Sequence, residues 1–552
     1  SLVMGNRYGL RVFPITHDLS PMTCFTIICF IGRSMNGAEL ALKTAVLNGI
    51  DICFANAGTT EIPLVAALDG QAGIRTVLGL FEGVCTGAAD GYGRVLDRPA
   101  MALLHLGPGF ANGIACLHNA RRAMSPVVNV IGEHASWHRD VDPPLNMDIG
   151  ALVGAVSGWK RTCRGPRSLS RDMAAVIAAS SRGQVASLII PNDHQWADCG
   201  AIPPVTASPI REPVDLGVVD RAAKVLKRGR RTAIVLGGRA LRRKGLITAS
   251  RIRAATGCDL LANSFPGYMD RGGSLPVVTR IPYFPEPALE LMARYDAVVL
   301  AGAWEPVTFF GYEGIPSLVI PDVTVKITID GPGQDVSEAL EALAGSVGRA
   351  RRRASGKGDS VSPGRPSLPA GPLTPETVSA VVAALQPEEG IVVDEGLTTT
   401  FPYYPLSHGH APHGFMTIAG GAIGYGMPCA VGAALAAPDR PVINVQADGS
   451  AMYTVQALWT MAREGLNVTT LLCNNGGYRI IAMELERAGL TDLGEAGRAL
   501  VDIDGPPLDW VNLSRGLGVT ATRVDDTRTL AREMKRAMKE PGPHLIEMMI
   551  KK

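Results

Sequence analysis

The sequence predicts an α/β protein made of three doubly wound units, each a mainly parallel sheet with helices on its faces. Three observations predict it. Short apolar, strand-like runs alternate with longer helical stretches along most of the chain. A length of 552 residues exceeds what one hydrophobic core serves. A stretch rich in Arg, Ser, Gly and Pro, 346–372, then breaks the alternation as an interdomain linker would.

The first unit covers 35–200. Met35-Asn36-Gly37-Ala38-Glu39 opens an amphipathic helix, and Ile52-Cys53-Phe54-Ala55, Ala100-Met101-Ala102-Leu103-Leu104 and Val127-Val128-Asn129-Val130-Ile131 read as strands. The second unit, 210–345, follows a Pro-rich connection; Thr232-Ala233-Ile234-Val235-Leu236 and Ala297-Val298-Val299-Leu300 are its clearest strands. The third unit is 373–552. Residues 1–34 differ from the rest: Phe25-Thr26-Ile27-Ile28-Cys29-Phe30-Ile31 is apolar but too short to span a bilayer, and no small-residue cleavage site follows it. Met35 is the expected functional start, with the preceding segment an extension. Arg349-Ala350-Arg351-Arg352-Arg353 in the linker reads as a solvated basic patch.

Hydrophobic residues at 46%, charged residues at 19% and a net charge of +2 fit a well-buried cytoplasmic protein with no nucleic-acid or membrane partner. The ten cysteines are scattered without paired metal spacing, as reduced thiols are.

Chemistry concentrates in the third unit. Ala447-Asp448-Gly449-Ser450 is followed, 25 residues after Gly449, by Asn474-Asn475-Gly476-Gly477. Val442-Ile443-Asn444-Val445 and Val468-Thr469-Thr470-Leu471-Leu472-Cys473 read as strands flanking a helix over 450–464, which makes one βαβ unit. Parallel strands place Asp448 and Asn475 together beyond the carboxyl ends of one sheet, where open α/β sheets bind ligands. An Asp carboxylate, an Asn amide oxygen and a backbone carbonyl near Gly477 suit Mg²⁺ or Ca²⁺ better than zinc. Backbone N–H groups of Gly449 and Ser450 would meet a diphosphate. Such a site also fits a nucleotide hydrolase.

Joined at this spacing, the two halves resemble the thiamine-diphosphate signature of the pyruvate decarboxylase and acetolactate synthase superfamily, with Ala447 where the first glycine usually stands. Three further stretches extend the resemblance. Ile418-Ala419-Gly420-Gly421-Ala422-Ile423-Gly424-Tyr425-Gly426-Met427-Pro428 is similar to the segment that holds the aminopyrimidine. On that match the Gly421 carbonyl accepts from the 4′-amino group and Ile423 wedges between the rings, forcing the bend that lets the cofactor activate itself. Leu78-Gly79-Leu80-Phe81-Glu82-Gly83-Val84 resembles the activating-glutamate region, which assigns Glu82 to the pyrimidine N1′, with burial expected to raise its pKa. Asp394-Glu395-Gly396-Leu397-Thr398-Thr399-Thr400 resembles the loop that contacts the diphosphate, through Gly396, Leu397 and Thr398. Tyr478, beside Gly477, completes the expected cofactor set.

The resemblance implies pyrimidine-binding, central and diphosphate-binding domains in that order. It also implies a homodimer or homotetramer whose sites lie across the subunit interface. The substrates implied are a 2-oxo acid and, for ligation, an aldehyde or a second 2-oxo acid.

Two resemblances compete for the reaction. Asn56-Ala57-Gly58-Thr59-Thr60-Glu61 and Leu106-Gly107-Pro108-Gly109-Phe110-Ala111-Asn112-Gly113 look like the acetolactate synthase-like proteins. Asp448-Gly449-Ser450-Ala451-Met452-Tyr453-Thr454-Val455-Gln456 resembles benzoylformate decarboxylase, whose proton-handling Ser and His match Thr59 and His105 here. That family's second histidine has no counterpart in Thr279-Arg280-Ile281-Pro282-Tyr283-Phe284. Loss of a proton donor slows protonation of the acyl unit left after CO₂ departs, so transfer to a second carbonyl is the expected outcome. A non-ligating decarboxylase is the alternative, and a catalytically degenerate cofactor-binding or assembly protein is the reading of another class. The central-domain turn Leu236-Gly237-Gly238-Arg239 is too weak a nucleotide signal to predict FAD.

Overall fold

The first helix begins where its capping residues place it. Asn36 Oδ1 accepts from Glu39 N (2.9 Å) and Glu39 Oε2 accepts from Asn36 N (3.1 Å), a reciprocal pair that satisfies two otherwise unpaired donors at the start of Gly37–Leu47. A computed structural model describes residues 34–207, 212–228, 231–331, 333–348, 364–409, 411–490 and 492–550. The apolar run 25–31 and the basic run 349–353 lie outside the described residues.

Three sheets organise the chain, as the alternating pattern predicts. The first contains β1 (Ile52–Asn56), β2 (Arg75–Leu78), β3 (Ala100–His105), β4 (Val127–Glu133), β5 (Trp159–Thr162) and β6 (Val185–Pro191), in the order β2-β1-β3-β4-β6-β5, all parallel. The second contains β7 (Thr232–Leu236), β8 (Asp259–Ala262), β10 (Thr279–Arg280), β11 (Ala297–Ala301) and β12 (Val325–Thr328), in the parallel order β10-β8-β7-β11-β12. The third contains β13 (Ile391–Glu395), β14 (His413–Thr417), β15 (Val442–Ala447), β16 (Val468–Asn474), β17 (Thr520–Val524) and β18 (His544–Met549). A short strand from the central region, β9 (Met269–Arg271), pairs antiparallel with β14 and covers that edge of the third sheet.

Each sheet reverses its winding beside its first strand. The chain leaves β1 toward β2 and returns beside β1 as β3; it leaves β7 toward β8 and returns as β11; it leaves β13 toward β14 and returns as β15. Such switch points open a crevice at the carboxyl ends of the two central strands. The three crevices fall at 57–59 with His105, at Gly237 with Gly302, and at Gly396 with Asp448.

The first and third units meet through two glycine-lined helices. A Cβ at Gly91, on Glu82–Leu96, would lie 2.1 Å from Cys429 O, and one at Gly432, on Gly426–Ala436, would lie 1.9 Å from Ala88 O. Arg94, buried at this contact, binds Asp90 through both Nε (2.7 Å) and Nη2 (2.6 Å), while Nη1 donates to Gly267 O, Thr417 O and Tyr425 Oη. One guanidinium thus joins all three units.

The helix expected over 450–464 is two short helices, Asp448–Ala451 and Ala457–Arg463. The break follows from docking: Thr454 turns inward and its Oγ1 donates to Gly424 O (2.8 Å). Among the described residues, no helix is long and apolar enough to cross a membrane, and the eight described cysteines are buried free thiols.

Replacing Arg94 with Met strands the Asp90 carboxylate in the interior. Denaturant unfolding should show a loss of about 3–5 kcal/mol, as for breaking a buried ion pair from one side.

Candidate cofactor site

Asp448 follows the last residue of β15 and is 1% exposed. Its Oδ1 accepts from Gly449 N (2.8 Å), and Oδ2 accepts from Asn475 N (3.0 Å) and Gly476 N (2.8 Å), so the two halves of the motif are held by one carboxylate. Asn475 Oδ1 in turn accepts from Gly477 N (3.0 Å). Burial pushes the Asp448 carboxyl up, against the pull of those amide donors. Among the described residues its partners are backbone amides, with no Lys, Arg or His paired to it. A buried carboxylate without a counter-cation is costly, and a divalent cation with hard oxygen ligands relieves that cost. The residues present therefore fit Mg²⁺, with Asp448, Asn475 and the Gly477 carbonyl as the donor set. Ala447 sits at φ −77°, ψ 147°, which its methyl group tolerates freely. Gly449 is required by its neighbour, because a Cβ there would approach Tyr478 Cε1 to 2.5 Å. Ser450 is buried and accepts from Gln446 Nε2 (2.8 Å).

The loop after β13 lies beside this turn. Asp394 Oδ1 accepts from Thr400 Oγ1 (2.6 Å) and Gly396 N (3.1 Å), and Leu397 is held at φ +48°, a left-handed conformation unusual for a leucine. Thr398 is half-buried in the same turn. Glu395, which the sequence reading did not single out, is fully buried. It accepts from Gly424 N (2.7 Å), Gly426 N (2.5 Å) and Gln446 Nε2 (2.8 Å), and burial raises its pKa to about 7. Consecutive carboxylates ending an apolar strand were the signal available for it.

The 418–428 segment is shaped by positive φ at Gly421 (+75°) and Gly424 (+94°). It is clamped from the first unit: Asn119 Nδ2 donates to Ala422 O (2.7 Å), its Oδ1 accepts from Gly420 N and Ala422 N, and His118 Nε2 lies 3.1 Å from Gly420 O. Ile423, Gly421 and Leu397 line a cavity of about 440 Å³ walled by Phe265, Tyr283, Phe309, Phe401, Ile480 and Ile481, with Glu484 as its one charged lining residue among those described. Phe110, in the 106–113 stretch, is fully buried in the core of the first unit.

In the first unit, Glu82 begins the helix Glu82–Leu96 and its Oε2 accepts from Asn112 Nδ2 (2.9 Å). The burial expected around Glu82 is not supplied by its own chain: the side chain sits half-exposed at a helix N-terminus, and no residue of 35–200 lines the cavity at Ile423. His105 ends β3. Its Nδ1 lies 2.7 Å from Glu61 Oε2 and 3.2 Å from Thr60 Oγ1. Thr59, which the resemblance matches to a proton-handling serine, is exposed, and the adjacent Thr60 in the turn Thr59–Glu61 is the threonine within hydrogen-bond distance of His105. Glu61 is fully buried beneath Gly132, where a Cβ would come within 1.6 Å of Oε1. The Glu61 hydrogen bond holds the His105 pKa above the ordinary histidine value of 6.5, against the opposing effect of partial burial.

In the central unit, Gly237, Gly238 and Gly302 border a cavity of about 340 Å³ with Trp304, on which Arg122 stacks at 4.1 Å.

Two family models match: the N-terminal TPP-binding domain of thiamine pyrophosphate enzymes over residues 35–152 and the C-terminal TPP-binding domain over 400–548. The chain belongs to the thiamine pyrophosphate enzyme family. Over 528 residues, 94% of this chain and 99% of the relative, it is 46% identical to a Mycobacterium tuberculosis protein described as "Putative acetolactate synthase large subunit IlvX". It is 29% identical to benzoylformate decarboxylase of Pseudomonas aeruginosa, covering 91% of this chain and 96% of the relative. The fold matches the Rhodococcus jostii 4-hydroxybenzoylformate decarboxylase with a TM-score of 0.80 at 23% identity, over 94% of this chain and 99% of that one.

Because the His105 pKa is raised in the fold, the Glu61 pair contributes stability fully below pH 6.5 and loses that contribution as pH rises through the raised value. Glu61→Gln should lower the His105 midpoint in an NMR histidine titration and weaken that pH dependence of unfolding.

Proposed function

We propose that this member of the thiamine-diphosphate-dependent family of 2-oxo acid decarboxylases and acetolactate synthase-like enzymes decarboxylates a 2-oxo acid and transfers the acyl unit to a second carbonyl. Thiamine diphosphate supplies the electron sink that makes loss of CO₂ accessible. Asp448, Asn475 and the Gly477 carbonyl would hold Mg²⁺; Gly396, Leu397, Thr398, Gly449 and Ser450 would contact the diphosphate; Tyr478 packs on that turn; Gly421 and Ile423 would hold and orient the pyrimidine end. Glu82 holds a proton at the pyrimidine N1′ from a second copy of the chain, in a homodimer or homotetramer. The lack of any first-unit residue around the Ile423 cavity supports this shared arrangement.

The observation that carries transfer over simple protonation is the character of that cavity. Where 279–284 reaches it, the side chain is Tyr283, whose phenol is pushed well up by burial and by Glu484. A phenol so shifted donates protons poorly at neutral pH. Its aromatic and aliphatic walls also leave space for a second substrate with an apolar body.

The alternative, a non-ligating decarboxylase, draws support from the Glu61–His105 pair, which keeps a proton on His105 to higher pH. Product analysis with thiamine diphosphate, Mg²⁺ and a panel of 2-oxo acids with and without aldehydes separates the two. A hydroxyketone such as acetolactate supports transfer, aldehyde alone supports the alternative, and absence of CO₂ release from every acid would falsify both.

Glu82→Gln should bind thiamine diphosphate nearly as well as wild type by calorimetry and lose turnover. Asp448→Asn should weaken Mg²⁺-dependent cofactor binding by roughly tenfold or more. The reading includes no flavin, which visible absorbance of the purified protein checks.

A further inference from the structure

A second cavity, of about 390 Å³, lies behind the aromatic wall of the Ile423 cavity, between the β10 edge of the central sheet and the turn that follows Tyr403–Leu406. Phe265, Tyr283 and Phe401 border both cavities, so these rings form a partition. The far side of the partition is chemically different. Its lining is aromatic and apolar except for a few polar groups, chiefly Arg280 and His408, and among the described residues no Asp or Glu lines it.

Arg280 lies over the Tyr404 ring (4.6 Å), with Arg271 over the same ring at 3.7 Å. Arg271 spends its donors on neutral acceptors: Ser407 Oγ (2.7 Å), Tyr404 O (2.7 Å) and His408 Nδ1 (2.8 Å). The carboxylate that acts on Arg280 is Asp394, which is already bound by Thr400 Oγ1 and Gly396 N. Of the two guanidinium groups only Arg280 feels a carboxylate, and that one is already hydrogen-bonded, which leaves a net positive charge around Tyr404. Since an arginine can only donate, His408 Nδ1 accepts, and a neutral His408 ring carries its proton on Nε2. Burial and the two arginines push the His408 pKa down to about 4, so the ring is neutral at physiological pH. The cavity thus offers a cationic donor and a neutral donor, with no acidic side chain in its lining, inside apolar walls of a volume suited to a small molecule.

We propose that this cavity is a binding site for a small carboxylic acid with an apolar, preferably aromatic, body, its carboxylate on Arg280 and His408 and its body against Tyr283, Phe284 and Phe401. The site is distinct from the cofactor cavity and does not depend on which reaction the enzyme performs.

Benzoate, which has no 2-oxo group to react, is the probe. Titrated by calorimetry into the protein loaded with thiamine diphosphate and Mg²⁺, it should bind wild type, bind Arg280→Gln roughly tenfold or more weaker, and recover part of the affinity in Arg280→Lys. Crystals of the loaded wild type with 4-bromobenzoate should show a bromine anomalous peak in the cavity of Arg280, which keeps the proposal testable if Arg280→Gln fails to fold. No benzoate binding, equal affinity in a folded Arg280→Gln protein, a bromine peak confined to the cavity of Ile423, or binding at crystal concentration only would each overturn it.

Discussion

The structure depends on the close contact between the helices Glu82–Leu96 and Gly426–Ala436. At Gly91 and Gly432 the backbones approach so closely that no side chain fits between them, and Arg94 fills the end of that contact with a guanidinium shared among all three units. A buried guanidinium is tolerable only when every donor finds an acceptor, and here Asp90, the Gly267, Thr417 and Asn119 carbonyls and the Tyr425 hydroxyl provide them. The helix that starts at Glu82 is thereby fixed against the unit that carries Asp448. Asn119 adds a second fixed point by binding Gly420 and Ala422 at the two ends of the 420–422 turn.

The sheets place ligand crevices by topology, and local chemistry then shapes each one. At the third sheet's switch point, Leu397 is held left-handed by the hydrogen bonds to Asp394, a strain of order 1–3 kcal/mol borne by the surrounding packing. At the first sheet's switch point, Leu106 at φ +52° turns the chain directly after His105, while Gly58 makes room for the imidazole, whose ring would lie 2.5 Å from a Cβ there. Residues that bear chemistry thus sit on short, over-determined turns at strand ends rather than on long loops.

Buried carboxylates do much of the positioning. Glu395 ties the 396–398 loop to the 424–426 turn, Asp448 ties 449 to 475–476, and Glu61 orients His105. Each is held by backbone or side-chain donors, which lets a negative charge sit in the interior and keeps the groups around it in one arrangement.

The α/β alternation, the Asp448 to Asn475 spacing and the glycines of 418–428 were all legible in the sequence, because strand periodicity and the residue types at strand ends are local properties. The tertiary structure decided what depends on distant partners. It set Thr60 and Glu61 against His105, broke the 450–464 helix by docking Thr454 on Gly424, and left Glu82 half-exposed within its own chain. It also brought Arg271 and Arg280 of the central unit together with His408 of the third around Tyr404. Burial, pairing and net charge at such places are sums over residues far apart in the chain, so only the folded arrangement determines them.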